Sequence, residues 1–218
     1  MDIPRDWTFK TSQVATGFDR HVREQLPWYD LMSGAVAHLA RHYIPDNGVV
    51  YDLGCSTGNI GNLIRETLTA RNATIHPIDN AESMREHYKG PGEIEIADIT
   101  EIEIKPFDVA VLFLCLMFIP IRKRRELIGK LRSKVNSGGA IIVVDKMESQ
   151  GGYLGTAISR LTLAGKVASG VPADQIIAKE MSLCGVQRPL SQRDLGVSVE
   201  LFRFGEFAGW VIESCPST

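Results

Sequence analysis

The chain has 218 residues, 44% hydrophobic and 23% charged, with a formal net charge of -2. That length buries a full core without disulfide or metal staples, as one large domain or as a domain with a small appendage. A charge so near zero excludes a global attraction to nucleic acid or to an acidic membrane surface.

The N-terminal MDIPRDWTFK lacks a basic start followed by an apolar block, so no secretory signal is expected. Residues 18–43 read as helical: Leu31, Ala35, Leu39 and Tyr43 recur at helical spacing, Pro27 interrupts the start, and PDNG at 45–48 ends the run. VVYDL is a buried strand, followed by a helix over Asn59 to Ala70 with Ile60, Leu63, Ile64 and Leu68 on one face. ATIHPID is a second strand ending at Asp79, and a short helix follows over 81–88. IEIADI is a third strand, ending near Asp98. FDVAVLFLCLMFI is the most hydrophobic segment and reads as a central strand buried on both faces. The apolar run over 109–121 is too short to span a bilayer, so a cytoplasmic protein without membrane contact is expected. A basic helix is predicted over Arg122 to Val135, with NSGG as its terminator and AIIVVDK as the next strand. Residues 148–193 break the rhythm: helical in part, rich in small residues and without a clear strand, they read as an inserted helical lid. VSVELFRF and FAGWVIES form an antiparallel hairpin with its turn near Gly205.

Strands alternating with helices imply a doubly wound, mostly parallel α/β sheet. The expected organisation is an N-terminal helical cap over 1–45 and a main domain over 46–218 that carries the lid. The four cysteines, Cys55, Cys115, Cys184 and Cys215, form no C-x-x-C pair, so reduced thiols are expected rather than a zinc site, and no metal is expected.

The functional signal is VVYDLGCSTGNIG, a strand running straight into glycines and then a helix. Such a loop lets backbone approach a ligand closely. Its spacing, Gly54, Gly58 and Gly61, is G-x-x-x-G-x-x-G rather than the dinucleotide fingerprint G-x-G-x-x-G. A tight turn packing a helix on a strand would also use such glycines. Asp79 ends the next strand, where a carboxylate accepts from ribose hydroxyls in this architecture, although a helix cap would use an Asp there too. Asp98, at the end of the third strand, is placed to accept from an exocyclic adenine amine, or to close a turn. Taken in order at three strand ends, these residues describe one nucleoside pocket. His21, His38 and His42 are the histidines of the N-terminal helices, and none is assigned a role. Trp28 and Tyr29 read either as a cover over the pocket or as a packed aromatic pair. The basic run IRKRRELIGKLRSK invites a nucleic-acid reading, but Leu127, Ile128 and Leu131 make it an amphipathic helix with a solvated face.

These motifs resemble the class I S-adenosylmethionine-dependent methyltransferases. VYDLGCSTG looks like their first motif, IDN their acidic second, ADI their adenine-facing third, and VNSGGAIIVVDK their last parallel strand. The resemblance implies a Rossmann-like sheet with a C-terminal antiparallel hairpin. It implies S-adenosylmethionine as cofactor, S-adenosylhomocysteine as product, and a cofactor site of Tyr29, Gly54, Cys55, Ser56, Gly58, Asp79, Asn80, Asp98, Ile99 and Phe113. DWTF, VYDLGCS, IDN, LMFIP and DK are similar to the carboxy-S-adenosyl-L-methionine synthases, which transfer a carboxyl group from prephenate to the cofactor for wobble-uridine chemistry in tRNA. In that branch a tyrosine of a P-x-Y stretch contacts the cofactor, and PWYD supplies Tyr29. The branch carries an asparagine near the sulfonium where this chain has Phe113. An arginine before the last hairpin holds the carboxylate there, and this chain offers Arg188 and Arg193 in a shortened VQRPLSQRDLG.

The expectation is therefore methylation of an unidentified acceptor, a small molecule or a nucleic acid, with the catalytic residue unassigned and a homodimer compatible. Carboxyl transfer from prephenate is the alternative enzyme, and a non-catalytic S-adenosylmethionine-binding protein the alternative of another class.

Overall fold

A computed structural model describes residues 12–149 and 151–214. The DWTF stretch and Cys215 lie outside the described residues. One seven-stranded sheet runs in the order β3-β2-β1-β4-β5-β7-β6. Its strands are β1 (Val49–Leu53), β2 (Thr74–Asp79), β3 (Glu95–Ile96), β4 (Phe107–Phe113), β5 (Val135–Lys146), β6 (Val199–Phe204) and β7 (Phe207–Glu213). Neighbours among β1–β5 pair in parallel, whereas β7 pairs antiparallel with both β5 and β6.

The helices are α1 (Ser12–Gln25), α2 (Tyr29–Tyr43), α3 (Asn59–Ala70), α4 (Ile121–Arg132), α5 (Gly152–Ala168), α6 (Ala173–Ser182) and the single-turn α7 (Gln192–Leu195). Successive residues of a strand face opposite sides, and β4 shows why its sequence is apolar throughout. Val109, Val111 and Phe113 join one core with Val36 and Ala40 of α2 and Ile60, Ile64 and Leu68 of α3. Ala110 and Leu112 join the other core with Leu127, Ile128 and Leu131 of α4 and Leu195 of α7. Each fully buried aliphatic side chain in these layers contributes about 1.5–3 kcal/mol of transfer free energy.

The parallel register brings the C-terminal ends of the strands to one edge. Leu53 pairs with Ile78, Asp79 with Ile96, and Phe113 with Val144. Whatever follows Leu53, Asp79, Ile96, Phe113 and Lys146 therefore meets along that edge, where doubly wound sheets bind ligands.

Four local expectations are corrected. The helix expected over 81–88 is a 3-10 turn over Glu82–Met84. The third strand has two residues, Glu95–Ile96. The basic helix stops at Arg132, and NSGG belongs to β5 rather than to a helix end. The β4 pairing jumps from Phe107–Val135 to Val109–Ala140, so the extra residues form a bulge, with Gly138 at φ +78°. A side chain at Gly139 would sit 2.4 Å from the Asp108 carbonyl, which is why small residues stand there. Finally, the basic helix is not merely solvated. The fully buried Arg124 donates to the carbonyls of Ile119 (2.9 Å), Arg188 (2.7 Å) and Pro189 (3.1 Å) and lies 3.6 Å from Asp194. It ties α4 to the return of the inserted segment. The insertion itself carries α5, α6 and α7, and its ends meet in a parallel bridge between Met147 and Leu190. The C-terminal hairpin turns at Gly205, φ +60°.

Candidate active site

The glycine loop is built by close approach. Gly54 has φ +79°, and a Cβ there would lie 2.6 Å from Cys115 Sγ. The N–H groups of Gly54 and Cys55 both donate to the Ile78 carbonyl, at 2.8 and 3.0 Å, which folds the chain over the end of β2. Gly58 caps α3 at φ +89°, and a Cβ there would lie 2.5 Å from the Gly90 nitrogen. Only glycine meets both demands at either position. Leu114, just past β4, also holds positive φ (+56°). A branched residue there costs about 1–3 kcal/mol, and the resulting bend sets Phe113, Leu114 and Cys115 along one wall.

Asp79 holds this loop. Its Oδ2 accepts from the Ser56 N–H and its Oδ1 from the Ala81 N–H, each at 2.9 Å. Burial pushes its carboxyl up, opposed by the N–H groups of Ala81, Ser56 and Asn80. Each oxygen keeps lone-pair capacity for a further donor, so a ribose diol can be added without breaking the turn. Asp98 Oδ1 accepts from the Thr100 N–H (2.9 Å) and hydroxyl (2.8 Å), so it also shapes its own turn.

A cavity of about 210 Å³ opens along the strand edge. Nine of the ten predicted site residues line it: Tyr29 from α2, Gly54, Cys55 and Ser56 from the loop, Asp79 and Asn80 after β2, Asp98 and Ile99 after β3, and Phe113 at the end of β4. Gly58 does not line it, because its open face is filled by Gly90 and Tyr88. The Tyr29 ring meets Phe113 edge-on at 5.4 Å, making that wall apolar. Trp28 packs against Phe207 at 4.7 Å in the core instead of covering the cavity. His38 and His42 are exposed on α2, whereas His21 reaches the cavity. Arg188 and Arg193 are exposed and neither lines it.

The N-terminal helices are fastened to the loop. The Thr57 hydroxyl donates to Asp19 at 2.6 Å, and the Asn59 amide to the Ser33 hydroxyl at 3.0 Å.

Several lining residues had not been singled out. Asp52 is 2% exposed, and its Oδ2 has no hydrogen-bond partner. Burial pushes its carboxyl up to about 7, opposed by the Gly61 N–H and reinforced by the Asp79 charge. Its place in the strand was a readable signal, since a carboxylate inside an apolar VVYDL demands a partner. Gln25 Oε1 is likewise buried in the cavity wall without a partner. Lys146, Lys166, Lys179 and Glu180 line it as well. Periodicity gave no warning of Lys166 and Lys179, because their burial depends on how α5 and α6 pack.

The lining groups its charges: Asp52, Asp79 and Asp98 all act on Cys115, whereas Lys146, Lys166 and Lys179 act on Glu180. The three aspartates and the unpartnered Asp52 oxygen suit a nucleoside that brings both hydroxyl donors and a positive charge. Burial raises the thiols of Cys55 and Cys115 well above the ordinary value, so neither is a thiolate nucleophile at neutral pH. Among the described residues, no group of three or more His, Cys, Asp or Glu side chains could hold a metal ion, and no helix is long and apolar enough to cross a membrane.

No protein-family model matches the chain. Curated relatives do. A carboxy-S-adenosyl-L-methionine synthase of Shewanella oneidensis is 30% identical over 187 residues, covering 82% of this chain and 77% of the relative. One of Staphylococcus epidermidis is 27% identical over 212 residues, covering 95% and 92%. Among solved structures, magnesium protoporphyrin IX methyltransferase from Synechocystis with bound S-adenosylhomocysteine aligns with a TM-score of 0.55 at 16% identity, covering 90% of this chain and 93% of that one. Human N-acetylserotonin methyltransferase in complex with S-adenosylmethionine aligns at 0.58 and 13% identity, covering 95% and 57%. The sheet order and the antiparallel β7 are thus those of the S-adenosylmethionine-dependent methyltransferase fold.

Proposed function

The chain belongs to the carboxy-S-adenosyl-L-methionine synthase family, and from that membership we propose that it is a transferase that takes S-adenosylmethionine as cofactor and moves a one-carbon group. The observation that carries the reading is the acidic edge of the cavity. Asp52, Asp79 and Asp98 line it beside a glycine loop whose backbone lies open to a ligand.

S-adenosylmethionine bound there supplies an electrophilic carbon on a positively charged sulfur. The chain's own residues do the rest. Asp79 accepts from the ribose hydroxyls while still holding Ser56 and Ala81. Asp98, Ile99 and Asn80 border the adenine. The backbone of Gly54, Cys55 and Ser56 borders the amino-acid tail, and Asp52 Oδ2 faces the cationic part of the cofactor. Tyr29 and Phe113 form a dry wall at the reacting end, where transfer requires alignment more than acid–base help. Gln25 of α1, Tyr29 of α2, Lys166 of α5 and Lys179 of α6 line the cavity, which supports reading the described N-terminal helices as a cap and the insertion as a lid.

Two one-carbon reactions fit this cofactor. Methyl transfer to an acceptor is favoured by the apolar Phe113–Tyr29 wall and by the position of Arg188 and Arg193 outside the cavity. Carboxyl transfer from prephenate is favoured by what the relatives are named. Incubation with S-adenosylmethionine and prephenate, followed by mass spectrometry of the small molecules, separates the two. The methyl reading expects no cofactor product heavier by a carboxyl group, and S-adenosylhomocysteine release when an extract supplies the acceptor. A carboxylated cofactor makes the synthase reading the right one.

A further inference from the structure

Gln25, the last residue of α1, holds an acceptor that the three aspartates leave over. It is only 7% exposed and lines the cavity, and its Oε1 has no hydrogen-bond partner. Buried amide oxygens are almost always met by a donor, because water is no longer there to supply one. An orphan acceptor on a cavity wall therefore points to a donor on the ligand.

The strand order places that donor. Along the edge the strands run β3, β2, β1, β4, so Asp98, Asp79, Asp52 and Phe113 follow one another in that order. Gln25 belongs to the β1–β4 end of this row. Tyr29, four residues further on, meets Phe113 edge-on at 5.4 Å, and the charges of Asp19 and Arg23 of α1 and of Asp52 all act on it. The Arg23 guanidinium lies over the Tyr29 ring, 5.2 Å from its centre. The Thr57 hydroxyl, donating to Asp19 at 2.6 Å, ties the same helix to the glycine loop.

S-adenosylmethionine brings three sets of donors: the adenine amine, the ribose hydroxyls and the α-ammonium of its amino-acid tail. Laid along the row, the first falls at Asp98 and the second at Asp79. The ammonium is left for Asp52 and its neighbours. An ammonium has three N–H donors and no acceptor, so one carboxylate oxygen does not satisfy it. Asp52 Oδ2 takes one donor, and Gln25 Oε1 is free to take another.

We infer that Gln25 is a cofactor-binding residue whose Oε1 accepts from the α-ammonium, and that α1 thereby selects adenosyl compounds that carry the amino-acid tail. The inference rests on the cofactor reading above. The rival assignment gives this oxygen to a donor of the second substrate.

The experiment is calorimetry on the full chain with two ligands, S-adenosylhomocysteine and 5′-methylthioadenosine. Both carry the adenosine and a thioether, but only the first carries the amino-acid group. Gln25→Leu removes the acceptor at similar size, and Gln25→Glu keeps an acceptor in its place. Gln25→Leu should weaken S-adenosylhomocysteine binding by about tenfold or more and leave 5′-methylthioadenosine binding unchanged, whereas Gln25→Glu should retain S-adenosylhomocysteine binding within about threefold. Leucine replaces an oxygen that has no partner in the ligand-free protein, so the variant is expected to fold, and Gln25→Ala provides a second arm. An equal loss of both ligands marks a merely structural residue and would overturn the inference. So would a loss in Gln25→Glu as large as in Gln25→Leu. Undiminished S-adenosylhomocysteine binding by Gln25→Leu would also overturn it, in favour of the rival assignment. Failure of the unaltered protein to bind S-adenosylhomocysteine would instead overturn the cofactor reading.

Discussion

Replacing Asp52 by Asn should move stability and binding in opposite directions. The side chain is fully buried in β1, keeps one hydrogen bond from the Gly61 N–H, and leaves Oδ2 without a partner. Asn preserves the shape and the acceptor for Gly61 while removing the charge. A carboxyl shifted from 3.8 to about 7 costs the folded state, at about 1.4 kcal/mol per pH unit, an upper limit of about 4 kcal/mol once ionised. The folded protein holds this proton more tightly than the unfolded chain. The Asp52 contribution to stability is therefore fully present below pH 4 and is lost as pH rises through about 7. Urea unfolding without ligand should find Asp52→Asn more stable than the unaltered protein by about 2–4 kcal/mol at pH 8, with the difference vanishing near pH 4. The same variant should bind S-adenosylmethionine more weakly by about 1.5–3 kcal/mol, the range for a hydrogen bond to a charged group. A variant less stable at pH 8, or a difference independent of pH, would refute the assignment of Asp52 as a buried carboxylate waiting for a cation.

Gly54→Ala should destabilise the fold by about 1–3 kcal/mol and abolish cofactor binding, since the new methyl meets both a left-handed backbone and Cys115 Sγ; thermal unfolding with and without S-adenosylhomocysteine checks both. Arg124→Met should cost about 3–5 kcal/mol in urea unfolding by removing a buried cation from the carbonyls of Ile119, Arg188 and Pro189 and from the Asp194 carboxylate, whereas Arg125→Met, on the exposed face, should be within about 0.5 kcal/mol of the unaltered protein. Hydrogen exchange should show residues 148–193 and the N-terminal helices gaining protection on cofactor binding; equal protection with and without cofactor would contradict their role as cover.

The sheet was legible in the sequence because it is built from period-two and fully apolar strands broken by glycine turns. VVYDL, FDVAVLF and the hairpin around Gly205 each carry their own signal. Asp79 and Asp98 were legible because strand ends in such a sheet converge on one edge. What stayed hidden depends on contacts distant in sequence. Arg124 looks like any other residue of a basic helix until the strap over 188–194 closes on it. NSGG looks like a helix terminator because local conformation is shared by helix ends and bulges, and only the β4 pairing distinguishes them. Lys166 and Lys179 sit on helices whose amphipathic pattern is weak, so their burial follows from how α5 and α6 fold back over the cavity. Asp52 was in plain view inside the quoted motif, but its missing partner becomes evident only when the surrounding cavity is built.

The proposed cofactor site is the strand-edge cavity, with Asp79 as the residue that binds S-adenosylmethionine. Calorimetry of S-adenosylhomocysteine binding to the intact protein and to Asp79→Ala, with the variant's fold verified by circular dichroism, tests it directly. Micromolar affinity, about 8 kcal/mol, is expected, weakened by about 1.5–3 kcal/mol in the variant as the ribose contact is lost. An intact protein that releases no binding heat, or a folded Asp79→Ala that binds undiminished, would contradict it.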